Sequence, residues 1–356
     1  MSGGVDSSVA AALLVEQGYQ VIGIMLRLWS ESGRQMENRC CTPESMSLAR
    51  KVAAGLSIPF YAVDAQEAHR SAVVQTFIEH YLEGITPNPC LSCNKQIRWG
   101  FLLDRARSLG ASYLATGHYA RLERQPDGSI QLLKAIDAQK DQSYVLHGLS
   151  QDELSHTLLP LGGLTKDQVR QKARQFNLPV ADRKDSQDLC FLAGEDYRVF
   201  LKRNAPQAHR PGPILNPEGE YLGEHQGLAY YTIGQRKGLG ITGNEPLYVV
   251  SKDVEHNALV IGPGSALGSD QLWAGPVNWI SGVPAQTPFR AQVKIRYKAN
   301  AEWAEVTPVA EDIVRIKFDR KIRDITPGQA AVLYSGDVCL GGGLIRPDIR
   351  ESKPVS

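Results

Sequence analysis

The first eight residues, Met1-Ser2-Gly3-Gly4-Val5-Asp6-Ser7-Ser8, form a glycine and serine loop that runs straight into the helical pattern Val9-Ala10-Ala11-Ala12-Leu13-Leu14-Val15. Two adjacent glycines free successive backbone amides to turn inward as a nest. The unpaired amides of the following helix start add positive potential, so the segment suits a phosphate. No Gly-Lys-Ser/Thr ending follows, which excludes a Walker loop, and the spaced glycines of a dinucleotide fingerprint are missing. A second set of reactive residues is the six cysteines, at 40, 41, 90, 93, 190 and 339. Cys90 and Cys93 form a C-x-x-C within Thr86-Pro87-Asn88-Pro89-Cys90-Leu91-Ser92-Cys93-Asn94-Lys95. The prolines set a rigid turn, and Cys93 falls where a helix is predicted to begin, so the helix dipole and Lys95 both favour a thiolate there. Cys190 lies in the polar stretch Lys184-Asp185-Ser186-Gln187-Asp188-Leu189-Cys190-Phe191. Cys339 is expected in the core of the last strands. Cys40 and Cys41 are adjacent, cannot easily place both sulfurs in one zinc tetrahedron, and have no assigned role.

The elements that must position these groups alternate between helical periods and short apolar strands from Ser7 to about Phe191. Strands are predicted at Val21 to Met25, Phe60 to Val63 and Tyr113 to Thr116, and helices at Glu44 to Leu56, Glu67 to Leu82 and Asn94 to Leu109. This alternation implies an α/β fold with a doubly wound parallel sheet. Trp29 to Glu44 is polar and irregular, as expected of a loop at the active-site edge. Nucleotide loops of this kind follow a β-strand, yet only Met1 precedes this one. A short apolar strand is therefore expected upstream of it in the natural protein. Prolines and glycines between 206 and 223 mark a change to a small β-rich module. From about Asp270 the period becomes two: Phe289, Ala291, Val293, Ile295 and Tyr297 are expected to face inward, as are Val314, Ile316 and Phe318. Hairpin signals at Thr307-Pro308 and Ser335-Gly336-Asp337 complete a small antiparallel β-barrel. The expected divisions are 1–204, 205–267 and 268–356.

With 39 basic and 38 acidic residues, the net charge of +1 gives no global sign of a nucleic-acid partner, so any basic surface must be local. No apolar run approaches membrane-spanning length and no basic signal-peptide start is present, which points to a soluble, cytoplasmic protein that does not engage a membrane. At 42% hydrophobic content the 356 residues can bury a sizeable core.

The opening loop reads S-G-G-x-D-S, which resembles the PP-loop of ATP pyrophosphatases, enzymes that split ATP between its α and β phosphates. Together with T-P-N-P-x-x-x-C-N, Thr116-Gly117-His118-Tyr119, Lys140-Asp141-Gln142-Ser143-Tyr144, D-S-Q-D-L-C-F, Gly223 to Gly227, Tyr231 to Gly240 and Thr326-Pro327-Gly328-Gln329, it is similar in order and spacing to the tRNA-specific 2-thiouridylases. The resemblance spans the whole chain. It implies replacement of the O2 oxygen of a wobble uridine by sulfur, with ATP and magnesium as cofactors. The implied ATP site is Met1, Ser2, Gly3, Gly4, Val5, Asp6 and Ser7, with Met25 and Gly117 lining the adenosine and Asp6 holding magnesium. The resemblance also implies that Cys190 carries a persulfide and that Cys93 releases its sulfur, closing a disulfide between them.

Where this chain has Cys90, some relatives have Asp, and Cys90, Cys93 and Cys190 could instead bind three irons of a [4Fe-4S] cluster. The implied tRNA contacts are Asn88, Pro89, Cys90, His118, Lys140, Asp141, Gln142, Arg296, Tyr297 and Gln329. Arg290, Lys294, Arg296 and Lys298 on one barrel face, with Arg236 and Lys237, would meet phosphates. A sulfur donor, such as a cysteine desulfurase or a sulfur-relay protein, is the other expected partner. Two further readings stay open: a different PP-loop synthetase, which would need no thiol pair, and a non-catalytic tRNA-binding protein.

Overall fold

The computed structural model describes residues 1–33, 42–184, 189–243 and 245–347. Cys40 and Cys41 lie outside them, as does Asp185 to Asp188. Helix α1 (Val5–Glu16) is apolar on nearly every side and buries Val5, Ser8, Val9, Ala10, Ala11, Ala12, Leu13 and Leu14. Such a helix can only sit inside the layers of a domain. Strand β1 (Gly23–Arg27) leads to helix α2 (Pro43–Gly55), where the Thr42 hydroxyl accepts from the Ser45 amide and Pro43 takes the first turn. The crossover returns to β2 (Phe60–Asp64), parallel to β1 with Gly23 opposite Phe60 and Arg27 opposite Asp64.

Strand β3 (Leu114–Ala115) is followed by a hairpin, β4 (Ala120–Arg124) and β5 (Ile130–Lys134). Then β6 (Thr157–Leu158) comes back to pair in parallel with β3. The two parallel pairs stand on the walls of one cavity, β1 through Gly23, Ile24, Met25 and Leu26, and β3 and β6 through Leu114, Ala115 and Leu158. The chain entering α1 runs beside β1, because the backbone nitrogen of Met1 donates to the carbonyl of Ile24.

The long helices predicted after β2 are present at 66–82 and 89–108, but neither is a uniform α-helix. Each contains a π-helical stretch, at Arg70–Gln75 and at Cys93–Leu102. In a π register the backbone bonds run from i to i+5, so residues four and five apart come to one face. Cys93, Ile97, Arg98 and Leu102 accordingly all line the cavity.

The middle of the chain forms a four-stranded sheet, with β7 (Gly212–Leu215), β8 (Tyr221–His225), β9 (Leu247–Asp253) and β10 (Ala258–Pro263) in the order β8-β7-β10-β9. The last region supplies β11 (Ser269–Ala274), β12 (Asn278–Trp279), β13 (Phe289–Lys294), β14 (Glu302–Ala310), β15 (Ile313–Ile322), β16 (Ala330–Ser335) and β17 (Val338–Leu344). Its period-two core is as expected from the pattern: Ala291, Val293, Ile295, Val314, Ile316 and Phe318 are all buried, while Phe289 and Tyr297 are partly covered. Ser335-Gly336-Asp337 makes the β16-β17 turn. Thr307-Pro308 does not turn. It lies inside β14 beside a register shift, where a bulge tolerates the missing amide of Pro308, and the chain reverses at Glu311 and Asp312.

One pairing could not be anticipated from the linear order. The β4-β5 hairpin, from within the first region, extends the C-terminal sheet in the order β11-β15-β14-β13-β16-β17-β5-β4. Leu132 faces Cys339 and Leu133 faces Val338 across that seam. Leu132 and Cys339 are fully buried in one cluster with Trp99, Leu103, Tyr144, Val332 and Tyr334, so a single core spans the α/β region and the barrel. Burial pushes the Cys339 thiol up to about 12, which leaves it inert. Truncating Leu132→Ala should cost about 2–5 kcal/mol of stability in urea denaturation. A loss under about 1 kcal/mol would show that the hairpin does not share the barrel core.

Candidate active site

The phosphate loop is held by contacts that only glycine allows. Gly3 has φ of +71°, and a Cβ there would lie 2.4 Å from the Ser45 carbonyl oxygen. Arg183 fastens the same point, donating to the Gly3 carbonyl at 2.7 Å and to the Ser45 hydroxyl at 2.9 Å. The Ser2 amide donates to the Ser7 hydroxyl at 3.1 Å, and the Ser8 hydroxyl donates to the Gly4 carbonyl at 2.8 Å. Gly4 is the N-cap of α1 and offers no side chain to its first amides, which are left open to a ligand. Gly117 comes so close to the loop that a Cβ would meet the Asp6 carbonyl carbon at 2.8 Å and the Ser7 nitrogen at 2.9 Å.

Asp6 does more than the sequence suggested. Its carboxylate accepts from Lys166 at 2.7 and 3.0 Å and from the Tyr119 hydroxyl at 2.7 Å. Lys166 opens the helix Lys166–Gln175, which is capped by a reciprocal Thr165 and Gln168 box, and its side chain is only 10% exposed. The loop thus has a lysine after all, supplied from 160 residues downstream rather than from a local motif. Magnesium needs only one or two protein carboxylates beside ATP phosphates, and Asp6 on this cavity is suited to that place.

The cavity measures about 1090 Å³. On its wall the structure brings together Met1, Ser2, Asp6, Ser7, Met25, Gly117, His118, Gln142 and Cys93, which are far apart in the chain yet share one space. Arg98 joins them and contacts His118 Nε2 at 2.9 Å. Burial, and then the Arg98 charge, hold His118 well below its ordinary value. His69, fully buried, is pushed down to about 4 by the same two causes, in the same order. Its Nε2 lies 3.9 Å from the Cys190 sulfur.

Cys93 and Cys190 both pack against one apolar cluster that includes Val73, Phe77, Ile97, Phe191 and Phe200. Cys90 is exposed and lies near Tyr297 of the barrel, whose hydroxyl is raised by burial and by the charges of Asp141 and Cys90. Among the described residues no three His, Cys, Asp or Glu side chains come together around a single metal ion.

The remaining expected tRNA residues divide into two groups. The turn carrying Asn88, Pro89 and Cys90 docks on the loop before β16, with the Thr86 amide donating to the Pro327 carbonyl and Gln329 Nε2 donating to the Thr86 carbonyl at 3.0 Å. Asn88 caps that turn by accepting from the Cys90 amide. Others are committed internally. Asp141 is buried and accepts from Ala135 and Ser143, while Gln142 accepts from the Tyr119 amide. His118 is buried, with Thr116 and Arg98 at its two nitrogens. Lys140 is partly exposed. Arg296 bonds the Ile233 carbonyl and the Thr326 hydroxyl, tying the barrel to the central module. Arg290 pairs with Asp319 at 2.6 Å, and Lys294 stands over the Tyr297 ring. Sequence reasoning passed over Lys166, Tyr119, Arg183, His69 and Arg98. Tyr119 closes the Thr116 to Tyr119 motif, and Arg98, five residues from Cys93, carried a local signal that required a π rather than an α period to be seen.

A glycine-built phosphate loop at a helix start, on a cavity walled by parallel strands and backed by two β-rich units, defines a PP-loop nucleotide-binding protein. The tRNA methyl transferase HUP domain family matches residues 1–194, the tRNA methyl transferase PRC-barrel domain family residues 198–263, and the Aminomethyltransferase beta-barrel domain family residues 269–345. The tRNA-specific 2-thiouridylase MnmA of Symbiobacterium thermophilum is 48% identical over 97% of this chain and 90% of its own length. Those of Roseiflexus castenholzii and Heliobacterium modesticaldum are 47% and 46% identical, covering 98% and 100% of this chain and 98% and 96% of their own. The chain belongs to the tRNA-specific 2-thiouridylase family. An NMN synthetase structure from Francisella tularensis covers 52% of this chain and 63% of its own at 20% identity, with a TM-score of 0.30, too slight a likeness to argue from.

Asp6→Asn should strand the buried Lys166 charge and cost about 1–3 kcal/mol in urea denaturation. The double variant Asp6→Asn/Lys166→Met should recover much of that loss, whereas simple additivity would dismiss the pair as a structural unit. His69 gives a pH signature. Its folded value of about 4 lies below the unfolded 6.5, so the unfolded state binds more protons between them. Its contribution to stability is therefore complete above 6.5 and is lost as pH falls towards 4. Replacement by Gln should flatten the stability curve in that window, measured as melting temperature against pH.

Proposed function

We propose that this chain is an ATP-dependent sulfurtransferase that installs 2-thiouridine at the wobble position of tRNA in the cytoplasm. On this reading residues 1–204 are the catalytic domain, and 205–267 and 268–356 are modules that help grip the tRNA. The phosphate loop, Met1 to Ser7, binds ATP, with Met25 and Gly117 against the adenosine. Magnesium bound with ATP would take Asp6 as its protein ligand and neutralise charge on the phosphates. The uridine O2 lone pair attacks the α-phosphorus, the bond to the β-phosphate breaks, pyrophosphate leaves with that electron pair, and the N3 proton is lost. A pyrimidine oxygen, otherwise a poor leaving group, then departs as AMP.

Sulfur reaches Cys190 from a persulfide donor, a cysteine desulfurase or a relay protein, by exchange that returns the donor as a thiol. The terminal persulfide sulfur adds to uridine C2 and the C2–O bond breaks, expelling AMP. Cys93 thiolate then attacks the Cys190 sulfur, forming a disulfide and leaving the sulfur on the base. An external reductant reopens the disulfide. The observation that carries this reading is the position of Cys93, which lies on the wall of the phosphate-loop cavity and also on the apolar cluster that holds Cys190. An exposed Cys90 beside Tyr297 is better suited to the target base or its neighbours than to a third iron. The turn at 86–90 and the barrel edge at Tyr297 and Gln329 together would cradle an unstacked anticodon base.

Cys93→Ser and Cys190→Ser should each abolish thiolation of tRNA supplied with ATP and a persulfide donor. Cys90→Ala should keep most activity in aerobic, metal-free protein, and a disulfide between Cys93 and Cys190 should appear after one turnover. Activity confined to anaerobic, iron-loaded protein with no such disulfide would overturn the persulfide route. Retained thiolation in Cys190→Ser would overturn the assignment of the sulfur carrier.

A further inference from the structure

The cavity wall carries a cation whose surroundings call for an anion. Arg98 projects from the π-helical stretch Cys93–Leu102 onto the cavity that also exposes Ser2, Asp6 and Ser7. Its side chain is partly buried, and among the described residues no carboxylate pairs with it; its one polar contact is His118 Nε2, at 2.9 Å. Guanidinium cannot shed its proton, so burial without a counter-charge is costly unless a bound anion offsets it.

The orientation of the group is fixed. Arg98 can only donate, so His118 Nε2 accepts and Nδ1 carries the hydrogen, which it donates to the Thr116 hydroxyl at 2.8 Å. His118 is kept neutral by burial and by Arg98, which preserves this tautomer. The Arg98 charge is also felt at the Met1 nitrogen beside the phosphate loop and at His69 beside Cys190. Arg98 shares its cavity wall with Ser2, Asp6 and Ser7 of the phosphate loop and with Cys93.

We propose that Arg98 is a catalytic residue that binds the α-phosphate of ATP and of the adenylyl ester, with His118 as its positioning residue. This inference rests on the adenylylating reading above. On that reading the loop amides serve the β and γ phosphates, and the next phosphate towards the sulfur end is the α. Charge gathers on its non-bridging oxygens when uridine O2 bonds to phosphorus and pyrophosphate leaves, and the same oxygens leave on AMP when sulfur displaces it. A fixed guanidinium there acts on both steps.

The test compares AMP with adenosine in equilibrium dialysis against the full chain, Arg98→Lys and Arg98→Met. Arg98→Met should bind AMP about tenfold or more weakly and adenosine unchanged, with Arg98→Lys between. Pyrophosphate release from ATP and tRNA should fall about a hundredfold in Arg98→Met. Persulfide loading of Cys190, which needs no ATP, should be unaffected. If Arg98→Met does not fold, Arg98→Gln carries the same comparison. Equal affinities in parent and variant, or AMP and adenosine weakened alike, would overturn the assignment to phosphate. A parent chain that binds neither compound would overturn it together with the adenylylating reading. Thiolation surviving Cys190→Ser, with AMP discrimination by Arg98 intact, would remove only the sulfur route.

Discussion

Asp6 accepts hydrogen bonds from Lys166 and from Tyr119, groups 160 and 113 residues away in the chain, while the backbone around it is pressed against Gly117. The phosphate loop cannot keep its open, amide-presenting shape unless something outside it opposes collapse. The Asp6 carboxylate supplies that from one side. On the other, Arg183 grips the Gly3 carbonyl and Ser45 blocks its α-carbon. Three distant segments are thereby brought to the start of α1, and one of them, through Leu114 to His118, forms a wall of the cavity. A partly desolvated ion pair is an uncertain source of net stability. Its value here is geometric: it fixes which parts of the chain face the loop.

The same logic explains why the thiols end where they do. The 89–108 helix is wound as a π-helix from Cys93 to Leu102, so Cys93 and Arg98 both look into the cavity, while the aromatic cluster of Phe77, Phe191 and Phe200 holds Cys190 against the neighbouring face. The C-terminal barrel is bound to this arrangement through the 120–134 hairpin, the docking of Thr86 on Pro327 and Gln329, and the Arg296 contacts with the central module. Basic residues that looked available for a nucleic acid are partly spent on these joins. That is a consequence of a near-neutral protein having to hold three units together with few spare charges.

The residue types proposed to react were legible from the sequence, because their signals are local. Two glycines ahead of an apolar helix can present amides whatever lies around them, and a C-x-x-C after two prolines declares a turned helix start. The alternation of strands and helices, and the later change to period two, follow from which faces must be buried, so the order of elements was also readable. What the sequence could not contain was any information carried by pairings between distant segments. Lys166 beside Asp6, the β5-β17 seam, the π winding that turns Arg98 inward and the uncompensated charge that results all depend on where separate elements pack. Thr307-Pro308 reads as a turn by composition and lies within a strand, since the neighbouring strands decide where pairing stops. Short-range chemistry is written in neighbouring residues. Charge compensation and close packing are properties of the assembled volume, and only the tertiary structure decides them.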